Sequence, residues 1–405
     1  VESVADGKPH NESVDGGDHR TRVMLLGAGE FSRELATALR RLGAHVIVAG
    51  QHANANVAAD ESLVIDMTDA DELNAAIRRA QPNVVVTASE AVAAGALTAV
   101  ADSGSAEVFP TPRCARLTAD REGLRRLAAD QLGLPTAPFW FAGSLDELRA
   151  IADHAGYPLR AQPVAAVGGE GQSVILMPAD IEPAWQRAVA AGGRLAHNRV
   201  LAETLVEVDF HVTLLTVRST GPTGPIVEFC APIGHGEAIG DVQESWQPQD
   251  LSPFALDAAK SIAARIVKSL GGRGVFGVEL MIRGDEVYFS DVTARPFESG
   301  LVTLRTQRLS EFELQARAIL GLPIDTIMIS PGAAEVIYAG NDGAGGAERG
   351  GVLADALRVP ESDVRVFSPN PEAPQPLGAA VVTAADVNTA RSRAREVSAA
   401  LRRLW

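Results

Sequence analysis

The chain has 405 residues, too many for one core, so two or three domains are expected. Apolar residues make up 46% and charged residues 21%, a balance that excludes collagen, disorder and a membrane-embedded protein. The formal charge of −15 leaves no basic footprint for nucleic acid or an anionic membrane, while a local arginine cluster still leaves room for an anionic small-molecule substrate.

Residues 1–20 are polar, rich in Gly and Asp and free of apolar runs, which reads as a flexible tail rather than a signal peptide. Over 21–119, apolar runs of strand length (VMLLGAGE, AHVIVAG, NVVVTASE) alternate with the amphipathic stretches FSRELATALRRLG and DADELNAAIRRAQ. That alternation predicts an N-terminal α/β domain with a parallel sheet and crossover helices. GAGEFS has the outline of a dinucleotide fingerprint, but the second strand ends in VAGQ, where an acidic residue would hold the ribose. A domain of this shape that binds no dinucleotide is therefore expected.

Residues 120–202 predict a small α+β unit, with one helix capped by Asp120 and stopped at Gly133 and another capped by Ser144. Its stretch LRAQPVAAVGGEGQ, 159–172, has the outline of a phosphate-binding loop, with a proline setting the turn and glycines freeing the backbone. Such a loop brings lysines to its anion. This one brings Gln162 and Glu170, and strand alternation is expected to turn the nearest cation, Arg160, to the opposite face.

Residues 203–335 (DFHVTLLTV, IVEFCAPIG, VFGVELMIR, EVYFSDV and two helices) predict a larger α+β domain with antiparallel strands, and 336–405 a β-rich C-terminal subdomain ending in a helix. Cys114 and Cys230 lie far apart without metal-binding spacing and are expected to be buried, reduced and idle. No apolar run approaches the length that spans a bilayer, so a cytoplasmic protein is the default expectation.

In GVFGVELMIRGDEVYFSDVTARP, Gly284-Asp285 signals a hairpin. If its loop has an odd number of residues, Glu279 and Asp291 fall on one face as direct or diagonal neighbours. Two carboxylates so placed repel unless a cation lies between them, and magnesium bridged to a nucleotide phosphate is the economical occupant. Two solvated strand-end carboxylates are the alternative. Arg295, four residues on, is placed to meet the same anion or a substrate carboxylate.

The succession of a parallel α/β domain, a small α+β unit with a glycine loop, and GVEL…FSDV…RP resembles the ATP-grasp enzymes. Within them it is similar to the formate-dependent glycinamide ribonucleotide transformylases. RVMLLGAGE, LTADREGLRRLAA, DFHVTLLTV, FCAPIGH, ESWQPQDLSP, GGRGVFGVEL and LVTLRTQRLSEFELQARAILGLP carry the likeness over nearly the whole chain from Arg22. It implies an ATP-grasp fold with a pre-ATP-grasp domain, a lid (120–202) and a large domain (203–335). In that family, ATP activates formate as formyl phosphate, which the amine of glycinamide ribonucleotide attacks. The likeness also implies magnesium at Glu279 and Asp291, a nucleotide contact at Arg121 and adenine-side contacts around Glu203. The acceptor would lie near Glu30, Phe31, Glu90 and Glu298, and a homodimer is implied.

The departures concern anions. Gln162 and Glu170 stand at lysine positions of the nucleotide site, and His211 stands at an acidic nucleotide-side position. Pro371, Gln375 and Pro376 stand where a lysine and an Arg-Arg pair hold the acceptor's phosphate. At ~4 Å and an effective dielectric of ~20, each charge unit facing a phosphate is worth roughly 4 kcal/mol, so weak or absent triphosphate binding is expected. An imidazole at 211 is suited to general acid–base work, with a hydrogen-bonded strand histidine as the alternative; His235 and Trp246 read as structural. The order of readings is then a repurposed ATP-grasp cleft taking another small molecule, an ATP- and magnesium-dependent carboxylate–amine ligase with a different acceptor, and the parent formyl transfer.

Overall fold

Valine- and isoleucine-rich runs near the N-terminus pair in parallel, as their alternation with helices requires. In the computed structural model, which describes residues 20–51, 58–88, 92–165, 170–192, 198–236, 242–339, 348–368 and 376–405, the first sheet has five strands. These are β1 (Arg22–Leu26), β2 (His45–Ala49), β3 (Glu61–Leu63), β4 (Val84–Thr87) and β5 (Glu107–Phe109), in the order β3-β2-β1-β4-β5. Val23, Leu25, Val46 and Val48 face α1 (Glu30–Arg41), whereas Met24, Leu26 and Ile47 face α2 (Ala70–Ala80) and α3 (Ala94–Ser103). Helices on both faces explain why these strands are apolar throughout. The strand order reverses between β1 and β4, and α1 starts at that switch point with Glu30 in its first turn.

The next segment is helical at α4 (Pro112–Ala119) and α5 (Arg121–Arg126), with Asp120 accepting from the Glu122 amide at 3.0 Å; a π-turn (Leu127–Gln131) follows and Gly133 ends it at φ 58. Strands β6 (Phe139–Ala142), β7 (Leu159–Pro163), β8 (Ser173–Ile175) and β9 (Val200–Thr204) then form an antiparallel sheet ordered β6-β9-β7-β8. It is backed by α6 (Leu145–Ala155), capped by Ser144 as expected, and α7 (Ile181–Gly192).

The largest sheet has nine strands: β10 (Phe210–Gly221), β11 (Gly224–Phe229), β12 (Ile233–His235), β13 (Val242–Gln247), β14 (Gly274–Arg283), β15 (Glu286–Thr293), β16 (Gly332–Ile337), β17 (Ser362–Val366) and β18 (Gly378–Thr383). Its order is β15-β14-β10-β12-β13-β16-β18-β17 with β11 on β10, so one sheet runs through both 203–335 and 336–405. The helices here are α8 (Pro253–Leu270), α9 (Thr303–Thr306), α10 (Glu311–Ile319), α11 (Arg349–Leu357) and α12 (Val387–Leu401). One face of β10, β14 and β15 buries Val212, Leu214, Leu280 and Phe289 against Ile262 and Ile266 of α8, which leaves the other face for the site.

Helix α10 is apolar on two sides. Phe312 and Ala316 pack with Leu35 and Leu39 of α1, and Leu314 and Ala318 pack with Leu215 and Val217 of β10. It therefore fixes the N-terminal sheet against the large one. Among the described residues, no helix is long and apolar enough to cross a membrane.

Cys114 and Cys230 are free and buried, and burial pushes both thiols up to about 12. Neither is expected to react with an aromatic disulfide reagent at pH 8 until the protein is denatured, when two thiols titrate. Fast labelling of the native protein would contradict that burial.

Candidate functional site

The Gly284-Asp285 turn joins β14 to β15 as a two-residue hairpin, with Arg283 paired to Glu286. This loop is even, not odd. Strict alternation from it would set Ser290 opposite Glu279 and turn Asp291 to the other face. Instead the register shifts: Leu280 pairs with Phe289, and Glu279 pairs with Asp291. Ser290 is thus the extra residue of a β-bulge. The same shift lets Phe289 and Val292, three positions apart, both enter the core under α8. The two carboxylates do face each other, but a bulge puts them there.

Burial, and then the charge of Asp291, push Glu279 up to about 7. Burial likewise raises Asp291, against the pull of Arg125 and Arg121. Two half-buried carboxylates destabilised as anions in this way fit a hard divalent cation with oxygen ligands. Among the described residues no third His, Cys, Asp or Glu joins them as a metal cluster. The remaining ligands would be substrate oxygens and water, which suits magnesium on phosphates.

Arg160 does not turn away from this cleft. Residues two apart on a strand share a face, so Arg160 and Gln162 point the same way, correcting the expectation above. Arg160 pairs in register with Glu203 of β9 and donates through Nη2 to its Oε2 at 2.7 Å, and Gln162 Nε2 reaches the same oxygen at 3.3 Å. Arg125 donates through Nε at 2.8 Å and Nη2 at 2.5 Å to Oε1. Burial alone would raise the Glu203 carboxyl, but Arg125 and Arg160 outweigh it and hold the group below its ordinary value. With all four lone-pair directions used, the carboxylate has none left for a ligand, and the residues just after it, Thr204 and Leu205, line the cavity instead.

That cavity has a volume of about 470 Å³ and is also lined by Arg160, His211, His235, Trp246 and Met281. His211 and His235 face each other across β10 and β12, stacked with ring centroids 6.2 Å apart. His235 Nε2 lies 3.1 Å from Thr213 Oγ1, and burial followed by the neighbouring His211 pushes it down to about 4. It is therefore neutral at physiological pH. His235 and Trp246, read as structural from sequence, belong to the cavity wall.

Arg121 donates through Nη1 to the Pro163 carbonyl at 3.0 Å, joining α5 to the start of the glycine loop. Glu170 is exposed where that loop resumes. At the start of α1, Phe31 meets Phe312 edge-on at 5.5 Å, and Glu30 accepts from the Ser368 amide at 3.0 Å. The turn Glu298–Val302 carries Glu298 near enough to raise both Glu279 and Glu311, so this one acceptor-side candidate lies by the carboxylate pair. Buried Glu311 holds that turn, accepting from the Phe297 amide at 3.0 Å. Half-buried Arg295 lies between β15 and the turn. Glu90, Pro371 and Gln375 lie outside the described residues; Pro376 is half-buried two positions before β18.

Sequence reasoning missed Arg125, Glu311 and the bulge. The bulge had a signal: a two-residue turn and a carboxylate pair at 279 and 291 are compatible only with one extra residue in a strand.

Residues 127–312 match the ATP-grasp domain, and the four-stranded sheet joined through Arg125 to the carboxylate-bearing antiparallel sheet fits the same class. Within it, the chain belongs to the family of formate-dependent phosphoribosylglycinamide formyltransferases. It is 49% identical to the relative of that name from Paraburkholderia xenovorans, over 98% of this chain and 97% of the relative. It is 50% identical to the one from Burkholderia pseudomallei, over 94% and 95%. The solved structure of glycinamide-RNase-transformylase T from Mycobacterium tuberculosis is 57% identical, with a TM-score of 0.80 over 94% of this chain and 99% of that one. The fold alone is shared with an N5-carboxyaminoimidazole ribonucleotide synthetase at 20% identity and TM-score 0.79.

Proposed function

We propose that this chain uses ATP to activate formate, or a carboxylate of similar size, and passes the acyl group to an amine. A carboxylate oxygen attacks the γ-phosphorus and ADP leaves; the amine nitrogen then attacks the acyl carbon, phosphate leaves and the amine gives up a proton. The observation that carries this reading is the facing pair Glu279 and Asp291, with Glu279 two positions along β14 from the cavity-lining Met281. These two would hold magnesium, which when bound offsets the charge of the triphosphate. Arg160 and Arg121 supply the phosphate-side cations, taking over from the absent lysines. Glu30, Phe31 and Glu298 form the acceptor end, and Arg295 orients the carboxylate. His211 faces the nucleotide side as a candidate acid–base group. Full-length identity near one half with formyltransferases supports the same reaction. A homodimer in the cytoplasm accompanies the reading.

Calorimetry with Mg·ATP, followed by ADP release with formate and glycinamide ribonucleotide, tests it. ADP release that needs both formate and the amine is expected; no Mg·ATP binding at millimolar concentration would overturn it.

Gln162, Glu170, Pro371, Gln375 and Pro376 favour a second reading, in which the cleft is repurposed for a different small molecule and ATP has been lost. Between the two stands a ligase that binds ATP and releases ADP only with another amine. Replacing Glu170 by Lys restores a cation to an exposed position and is expected to tighten Mg·ATP roughly tenfold, an effect that fades at high salt. An unchanged affinity would place Glu170 outside the phosphate's reach.

A further inference from the structure

Arg125 joins two features that no ligand contact explains. Its Nη1 donates to the carbonyl of Ser290, the residue that the bulge removes from the β14–β15 ladder. Its Nε and Nη2 grip Glu203 Oε1 on the lid sheet. The guanidinium lies 5.9 Å from the Phe289 ring, and the residue is only 5% exposed. A bulged residue leaves a peptide group outside the ladder, and a buried one needs another partner. Arg125 is that partner.

We propose that Arg125 is a positioning residue for the Glu279–Asp291 pair: by holding the Ser290 carbonyl it keeps the bulge closed and Asp291 opposite Glu279, and through Glu203 it ties that register to the lid. The proposal rests on the reading that this pair holds magnesium. The planar fork is what allows both attachments, so lysine, with the same charge on a single nitrogen, cannot replace it.

The bulge also supplies a suppressor. Deleting Ser290 brings Asp291 opposite Glu279 by plain alternation from the two-residue turn, with Phe289 and Val292 both still facing the core. Without the bulge, Arg125 has no carbonyl to hold. Arg125→Lys should therefore weaken metal binding, and deletion of Ser290 in the same chain should restore it.

The test is Mn²⁺ binding followed by electron paramagnetic resonance on the full chain. Arg125→Lys is expected to weaken Mn²⁺ roughly ten- to hundredfold and to raise the magnesium activation constant alike, with KM for the amine unchanged. The deletion is expected to recover most of that loss. Binding equal to wild type in Arg125→Lys would overturn the proposal, as would a loss that the deletion does not repair. If Arg125→Lys fails to fold, Arg125→Gln carries the same comparison. If wild type binds no Mn²⁺, the metal reading falls, and a crystal structure of metal-free Arg125→Lys decides the positioning role. Asp291 displaced from Glu279 would support it, and an unchanged register would overturn it.

Discussion

Glu279→Gln is expected to lower ATP-dependent turnover by roughly a thousandfold, and Asp291→Asn to do much the same. The two carboxylates act as one unit, so the double variant should be little worse than either alone. Stability should move the other way. The Glu279 carboxyl ordinarily titrates at 4.5 and is pushed up to about 7 by burial and Asp291. As pH rises from the first value to the second, the unfolded chain gives up its proton before the folded one does, so the metal-free protein loses stability across that window and levels off above it. Glu279→Gln removes this term. The variant should melt higher than wild type at pH 8 without metal, with the difference shrinking towards pH 5. Magnesium should raise the wild-type melting temperature and leave the variant unmoved. A variant that melts lower than wild type at pH 8, or one that turns over normally, would show that the pair is not a site held open for a cation.

The second large effect belongs to Glu203→Gln, expected to destabilise the protein by about 3–5 kcal/mol. Glu203 is 1% exposed and Arg125 5%, with Arg160 paired to the other oxygen. Removing the anion leaves two arginines facing each other, one of them, Arg125, where water barely reaches. The less buried pair Glu122–Arg199 is the control: Glu122→Gln should cost less than about 1 kcal/mol even though its ion pair is as short. Because Arg125 and Arg160 hold the Glu203 carboxyl below 4.5, its contribution is present above that value and is lost as pH falls through the folded one. Urea titrations at pH 7 measure both variants. Equal small losses at the two sites would mean that the Glu203 cluster is well solvated.

The halves of the site were unequally legible. Glu279 and Asp291 were readable as candidates because carboxylates on paired strands are a local pattern, but the parity argument for their register assumed an odd loop, and it is a bulge after an even one that sets them opposite. The caps at Asp120 and Ser144 and the parallel first sheet follow from rules acting over a few residues, and they stand where the sequence puts them. Arg160 shares the face of Gln162 because the two lie one strand period apart on β7, a relation the sequence already contains. By contrast, Arg125 was invisible: its partners are Glu203 and Ser290, on separate sheets, and nothing local in REGLRR marks an arginine that will be buried.

By itself, then, the sequence determined this protein's secondary structure, its family and the list of groups able to meet a cation or an amine, because each depends on short-range periodicity or residue type. Only the tertiary structure decided which groups act together. It set Asp291 opposite Glu279 through a bulge, closed Glu203 off with two arginines and one glutamine, and made His235 neutral by burying it beside His211. These outcomes depend on desolvation and on neighbours far apart in the chain, and both come into being only when the four-stranded sheet and the large sheet pack together.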